Sequence, residues 1–160
     1  MKQTTFFAIA VTFAVFSISC TSEVKDTTKP TIVLHEPAEG DTLFIGHEVH
    51  LDVELSDDIK LGSYKVDIHS NFDGHGHAVP ALVKSETAAD VAWSFSKSWD
   101  VSDKINTDIH HHEIIVPDSI NGSPIAAGNY HFSVYATDAA GNESKVIVGV
   151  VVGVGTPKED

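Results

Sequence analysis

Residues 130–142 read YHFSVYATDAAGN, and this stretch indicates the fold more clearly than any other. Every second residue from Tyr130 to Ala136 is apolar, which is typical of a strand with one buried and one polar face. The strand ends in DAAGN, a turn in which Gly141 and Asn142 can adopt left-handed backbone conformations. The valine-rich residues 146–154 follow. The segment therefore predicts an antiparallel hairpin near the end of the chain.

The same period of two recurs along most of the chain, and no long helical pattern competes with it. The candidate strands are Thr31–His35, Glu48–Leu55, Ser63–His69, Val91–Val101, His110–Val116, Tyr130–Asp138 and Val146–Val154. Strands separated by Gly, Pro, Asp and Asn turns predict an all-β fold, an immunoglobulin-like antiparallel β-sandwich of about seven strands. Tyr130, at the start of the sixth strand, stands where such folds place a corner tyrosine that bonds back to the backbone.

The first twenty residues predict export and lipid anchoring. Lys2 precedes an apolar run of thirteen residues, Phe6–Ile18, which is shorter than the roughly 20 residues of a permanent membrane-spanning helix. Ser19 and Cys20 follow the run, and the whole segment resembles a bacterial lipoprotein signal, although Ser17 stands where that signal usually has Leu. An ordinary signal peptide with an incidental cysteine is the alternative. The predicted divisions are signal peptide 1–19, lipid-anchored tether 20–29, sandwich domain 30–155 and polar tail 156–160.

Composition narrows the possible partners. The chain has ten basic residues, all of them lysine, against 23 acidic residues. Nucleic-acid binding requires a basic face, so no nucleic-acid partner is expected. The acidity permits cation binding, although it also serves solubility. Because an acylated Cys20 would use the single cysteine, no disulfide within the chain is expected and the domain must depend on its own core.

Longer stretches resemble known proteins. Residues 30–64 are similar to the first half of many bacterial immunoglobulin-like domains, and residues 130–144 to their last hairpin. HSNFDGHGH (69–77), HHHEIIVP (110–117) and GNYHFSVYATDAAGN (128–142), behind a lipoprotein signal, resemble the exported-lipoprotein family named domain of unknown function 4625. The resemblance implies an immunoglobulin-like fold and a lipid-anchored place in the cell envelope of a Gram-negative-type bacterium, periplasmic or surface-exposed. It implies no activity.

Ten histidines suggest a metal site, because neutral imidazole is the commonest metal ligand in proteins. His75-Gly76-His77 lies in a predicted loop beside Asp73. The third and sixth strands of an immunoglobulin-type sandwich are antiparallel neighbours, so His69 and His131 are expected to meet on the outer face next to that loop. Such a group would suit Zn²⁺ or Cu²⁺.

The triplet His110-His111-His112 allows two interpretations. If the fifth strand includes it, His110 and His112 share one face and form a second site or none; if the strand begins only at Glu113, the triplet lies in a loop that could reach the first group. The candidate metal ligands are His69, Asp73, His75, His77, His110, His112 and His131, whereas His35, His47 and His50 look like surface or strand-edge residues.

Calcium is a less favoured cofactor. Asp57, Asp58, Asp138 and Asn142 fall in two loops at one end of the predicted sandwich, and Ca²⁺ binds six to eight oxygens. The competing interpretation, which we prefer from sequence, is that these aspartates end strands and cap turns.

The favoured function is a cell-envelope lipoprotein with a His-rich surface site for capturing, buffering or delivering Zn²⁺ or Cu²⁺. It would contact the membrane through acylated Cys20 and serve an outer-membrane or other envelope protein. The alternative is an interaction module that docks a protein or glycan, which exposed Trp93 and Trp99 would favour. An enzyme, with Glu113 beside a three-histidine metal, is not expected because no catalytic motif accompanies it.

Overall fold

The computed structural model describes residues 25–73 and 90–157. Cys20, His75 and His77 lie outside the described residues. Within them the chain forms ten strands: β1 (Thr31–Glu36), β2 (Thr42–Phe44), β3 (Glu48–Ser56), β4 (Leu61–Ser70), β5 (Ser94–Asp100), β6 (Asn106–Ile115), β7 (Ser119–Ile120), β8 (Ser123–Pro124), β9 (Gly128–Asp138) and β10 (Glu143–Gly153). No helix in the described residues has the length and apolar character needed to cross a membrane.

Two sheets form the sandwich. One has the order β1-β3-β6 and the other the order β2-β10-β9-β4-β5, while β7 and β8 make a separate two-stranded ribbon. Most neighbours are antiparallel, but the short β2 pairs with β10 in parallel. The predicted immunoglobulin-like β-sandwich is therefore confirmed, with the seven predicted strands as its long strands and three short strands added.

The core lies between the two sheets and consists of the inward residues of each strand. The core includes four fully buried side chains, those of Leu51 and Val53 in β3 and of Phe132 and Val134 in β9. Because side chains alternate across a strand, their polar neighbours lie on the outer faces. This alternation determines the face of the sheet toward which each histidine of β3, β4, β6 and β9 points.

The corner tyrosine forms as predicted. Tyr130 is fully buried, and its hydroxyl donates a hydrogen bond of 2.8 Å to the Ala126 carbonyl. The same hydroxyl accepts a bond of 3.2 Å from the backbone N–H of Trp93. The side chain therefore ties the entrance of β9 to the segment that precedes β5.

The turn between β9 and β10 differs from its prediction in the conformation of Asn142. Gly141 has a φ of +90°, as the turn requires, but Asn142 is not in the left-handed region. Its N–H and its side-chain amide instead donate to the Asp138 carboxylate at 2.7 and 2.6 Å. Asp138 therefore caps the turn that begins with it.

Three predicted strands begin three or four residues away from the expected position, and one of them is β10, which begins at Glu143 rather than Val146. Strand β5 begins at Ser94 rather than Val91, which is partly exposed and makes a single bridge to Ile125. Strand β6 begins at Asn106, four residues before the predicted start. Trp93 is buried, as expected, and Trp99 is partly buried against the core, so the two do not form an exposed platform.

Candidate metal centre

The histidine triplet lies inside strand β6, which selects the first of the two interpretations. Ile109 is buried and pairs with Val53 of β3, while His110 pairs with Asp52. Alternation therefore turns His110 to the outer face of the three-stranded sheet and His111 toward the interior. The triplet is thus held by the sheet and does not belong to a loop.

A β-bulge shapes this part of the strand. Val49 pairs with Ile114 but Leu51 pairs with His111, so two residues of β6 oppose the single residue His50 of β3. A bulge reverses the alternation beyond it. As a result Ile114 enters the core, whereas strict alternation would have placed Glu113 there.

Three histidines converge on the outer face at the bulge. His50 of β3 meets His110 and His112 of β6, and one ring nitrogen from each lies within 4.8 Å of the others. The His50 ring stacks on His112 with centroids 4.7 Å apart and meets His110 edge-on at 4.5 Å. We call His50, His110 and His112 the three-histidine cluster.

The spacing of two of these nitrogens suits a common metal. His50 Nε2 lies 3.2 Å from His110 Nδ1. Two nitrogen ligands at about 2.0–2.1 Å from a tetrahedral Zn²⁺ are separated by about 3.3 Å. In the absence of metal the same separation allows an N–H···N hydrogen bond between the rings. The separation of the two nitrogens therefore suits a shared ion, which would replace this bond once both lone pairs point toward the metal.

Carboxylates lie close to the Nδ1 atoms of two of the rings. His50 Nδ1 lies 3.1 Å from Glu36 Oε2, and His112 Nδ1 lies 3.3 Å from Glu48 Oε1. A ring that donates its Nδ1–H to a carboxylate presents the lone pair of Nε2 on its other side. Carboxylates placed in this way also make the imidazole a stronger ligand.

The three-histidine cluster is open to solvent. His110 and His112 are exposed and His50 is partly buried. His50 and His112 also line a groove of about 630 Å³, together with Glu36, Glu48 and Phe44. An ion at the cluster would therefore remain accessible to water and to a partner molecule.

His69 and His131 also meet, as predicted. They are direct partners in the register of β4 and β9, and their rings pack edge-on with centroids 5.3 Å apart. His69 contacts Asp67 at 3.0 Å, and His131 is buried although it faces away from the core. No third His, Cys or carboxylate of the described residues joins the two rings in a three-ligand group, and Asp73 lies exposed in the turn after β4.

The two groups of histidines cannot share one ion. The three-histidine cluster lies on the outer face of the three-stranded sheet, and His69 and His131 lie on the outer face of the other sheet. Packed sheets are about 10 Å apart, and two outward side chains add to this separation. The predicted ligands therefore divide into separate locations, with His75 and His77 outside the described residues.

His111 belongs to a different network, at the edge where β5 and β6 face each other. Its Nε2 lies 3.0 Å from the Tyr64 hydroxyl, and Tyr64 stacks on Trp99 with centroids 4.9 Å apart. Burial lowers the pKa of His111 and raises the pKa of Tyr64. Both side chains are thereby kept neutral near pH 7, as is typical of a structural contact.

Glu113 also makes its side-chain contacts at this edge of the sandwich. Its Oε2 accepts hydrogen bonds from Lys97 Nζ at 2.7 Å and from Trp99 Nε1 at 3.0 Å. These hydrogen bonds, with Lys97 contributing most, lower the pKa of the Glu113 carboxyl. A carboxylate stabilised in this way is a weak base, so the arrangement does not favour the water-activating role considered for Glu113.

Sequence reasoning did not select His50, although the signal was present. His50 alternates with the buried Val49 and Leu51, so it faces outward on β3. In an immunoglobulin-type sandwich the second and fifth strands are neighbours, which places β3 beside the triplet. The carboxylate contacts from Glu36 and Glu48 depend on the register and could not be read from the pattern.

The fold and the cluster together define an immunoglobulin-like sandwich with a histidine-rich outer face. Residues 18–152 match the family described as Domain of unknown function (DUF4625), and the chain belongs to this family. No curated protein matches the chain. Among solved structures, it is similar to the sporulation control protein Spo0M from Bacillus subtilis, with 13% identity and a TM-score of 0.36. That match covers 79% of this chain and 49% of Spo0M, so the chain spans about half the length of that protein.

Proposed function

We propose that this protein binds a transition metal ion, Zn²⁺ or Cu²⁺, at the three-histidine cluster of His50, His110 and His112. The observation that carries the proposal is the convergence of three imidazoles from two strands, two of them backed by carboxylates. Imidazole suits both metals, and soft Cu(I) would prefer thiolate and thioether ligands, of which the chain has only Cys20 and Met1.

The cluster would supply three nitrogen ligands and leave a fourth position open. Glu36 and Glu48 would hold the rings of His50 and His112 in the tautomer that directs Nε2 toward the ion. The formal charge of these carboxylates also offsets the charge of a divalent cation. The fourth position would be open to solvent, because His110 and His112 are exposed.

This arrangement suits reversible binding better than structural burial. Structural zinc sites are closed by four protein ligands, whereas a site with an open position can exchange ligands with a partner. We therefore propose a role in capturing, buffering or delivering the metal, without catalysis. The protein would act in the cell envelope, anchored to the membrane through acylated Cys20, and exchange metal with an envelope protein.

The test is metal binding by the full-length chain in detergent, without a histidine tag. Titration against a chromophoric chelator measures the affinity for Zn²⁺ and Cu²⁺. We expect one tightly bound ion per chain, and His110→Ala or His50→Ala should weaken binding at least about tenfold. Glu36→Gln, which removes only an orienting carboxylate, should weaken it about tenfold, within the range for such contacts.

His35→Ala is the matched control. His35 lies on the same sheet, contacts Glu54 at 3.0 Å, and its side chain is 44% exposed against 42% for His112. It should leave the affinity unchanged. Equal binding by wild type and by His50→Ala would refute the proposal. If His75→Ala/His77→Ala abolishes binding instead, the metal belongs to the predicted loop and not to the three-histidine cluster.

A further inference from the structure

A second group of ligands lies at the end of the sandwich where the N-terminal segment meets the loop after β3. The carboxylates of Asp26, Asp57 and Asp58 each place one oxygen within 4.8 Å of the other two. Asp57 and Asp58 were candidates from sequence, but Asp26 lies about 30 residues earlier, in the predicted tether. Only the fold brings the three together.

Only one of the two carboxylate oxygens of Asp57 caps the turn. Its Oδ1 accepts hydrogen bonds from the N–H groups of Ile59 and Lys60, at 3.0 and 2.7 Å. Asp57 is 9% exposed, and its Oδ2 is buried without a hydrogen-bond partner in the described chain. A buried carboxylate oxygen without a partner is costly, and a bound cation would satisfy it.

Asp26 and Asp58 are each held by a hydrogen bond to one carboxylate oxygen. Thr28 donates its N–H to Asp26 Oδ1 at 3.0 Å and its hydroxyl to Asp58 Oδ2 at 3.1 Å. These bonds fix both side chains and leave their second oxygens for a ligand. The Asn142 amide donates to the Asp26 carbonyl at 3.3 Å, which holds the N-terminal segment against the turn after β9.

Asp138 is not part of this group. Both of its oxygens accept hydrogen bonds from Asn142, so the preference for turn capping at this position is borne out. The carboxylate group therefore differs from the one expected from sequence. It includes Asp26, whereas Asp138 and Asn142 are not ligands and only hold the N-terminal segment in place.

We propose that Asp26, Asp57 and Asp58 form a Ca²⁺ site. All the available ligands are oxygens, which excludes the soft metals and favours hard cations. Ca²⁺ accepts irregular geometry from loops and completes its shell with water, whereas Mg²⁺ requires near-octahedral ligands at about 2.0–2.1 Å. Three carboxylates that repel one another without a cation provide the drive for binding.

The site has a mechanical consequence. Asp26 lies between the predicted lipid-bearing Cys20 and β1, and the other two ligands belong to the sandwich. Bound Ca²⁺ would clamp the tether onto the end of the domain and set how the sandwich stands relative to its anchor. The inference does not depend on the three-histidine cluster, which uses different residues and a different class of metal.

The test compares the full-length chain in detergent with and without Ca²⁺, after removal of metals by chelation. Calorimetry measures affinity, thermal unfolding measures stability, and trypsin cleavage after Lys25 reports on the tether. We expect binding in the range of about 10⁻⁴–10⁻³ M typical of extracellular modules, a higher melting temperature, and slower cleavage at Lys25.

Asp57→Asn is the informative variant, because an amide oxygen can still accept the turn hydrogen bonds while the charge and the second ligand oxygen are lost. It should be at least as stable as wild type without Ca²⁺, since repulsion falls, and its affinity for Ca²⁺ should drop at least about tenfold. Asp41→Asn, in a separate turn where Asp41 accepts the Ala38 N–H at 2.7 Å, is the matched control and should keep the full response.

Several outcomes would overturn the calcium site. One is an unchanged melting temperature and cleavage rate at millimolar Ca²⁺; another is an equal response in wild type and Asp57→Asn. An equal shift with Mg²⁺ would overturn the assignment to Ca²⁺. Zn²⁺ binding should not respond to Asp57→Asn, so failure of this site and failure of the three-histidine cluster are seen separately.

Discussion

Replacing Tyr130 with Phe removes one buried oxygen atom at the entrance of β9. The aromatic ring stays in place, because its packing against Phe72, with centroids 5.3 Å apart, does not use the hydroxyl. What is lost is the hydrogen bond of 2.8 Å to the Ala126 carbonyl and the bond of 3.2 Å from the Trp93 N–H.

The expected cost follows from the burial of all three groups. Tyr130 is 0% exposed, Trp93 4% and Ala126 6%. Water therefore cannot replace the hydroxyl, and a buried polar group that loses its partner costs about 1–3 kcal/mol. With two partners affected, we expect the free energy of unfolding to fall by about 2–3 kcal/mol. For a domain of this size that corresponds to a decrease in melting temperature of roughly 6–12 °C.

Denaturant unfolding followed by tryptophan fluorescence is the assay, since Trp93 lies beside the altered hydroxyl. Tyr135→Phe is the control, because Tyr135 lies on the outer face with its ring 4.0 Å from Lys65 Nζ. Its change should stay within about 0.5 kcal/mol of wild type. If Tyr130→Phe is as stable as the control, the corner hydrogen bonds do not stabilise this fold and the reasoning is wrong.

Two further predictions concern stability. Burial would raise the pKa of Asp138, but the hydrogen bonds from Asn142 and nearby backbone N–H groups outweigh burial and lower that pKa. The stabilisation by this cap is therefore complete above the unfolded pKa of about 3.9. It is lost as the pH falls through the folded pKa. Asp138→Ala should lose about 1–3 kcal/mol at pH 7, and denaturation across the pH range should show its difference from wild type shrinking below about pH 4. Gly128→Ala should lose about 2–4 kcal/mol in the same assay, because Gly128 has a φ of +142° and an added Cβ would lie 2.9 Å from the Phe72 ring. Gly40→Ala, with a φ of +87° and open space around it, should lose only about 1–2 kcal/mol, and an equal loss at both positions would contradict the packing argument.

The class of fold followed from the sequence because alternation is a local property. In residues 130–136 each apolar side chain specifies its own face, and the structure buries all four of the positions chosen. The encounter of His69 with His131 could also be predicted, since it needs only the pairing of two neighbouring strands and the parity of each residue. Membership of the family was likewise carried by short motifs within the chain.

The candidate sites depended on contacts that alternation does not describe. The bulge opposite His50 reverses the parity of β6, and only the register between β3 and β6 shows that His112 then faces His50. The sequence does not reveal the bulge, because Ile109 and Ile115 have the same parity and fit a regular strand, and only the structure shows that Ile114 is buried and Ile115 exposed.

The sequence by itself determined which residues point inward along the regular strands, because the hydrophobic effect acts on each side chain according to its own composition. It thereby determined the strands, the β-sandwich and the corner tyrosine. Only the tertiary structure decided which outward residues meet: His50 with His110 and His112, and Asp26 with Asp57. These contacts join residues that lie tens of positions apart in the chain. They depend on strand register, bulges and loop paths, which cannot be read from the two contacting residues alone.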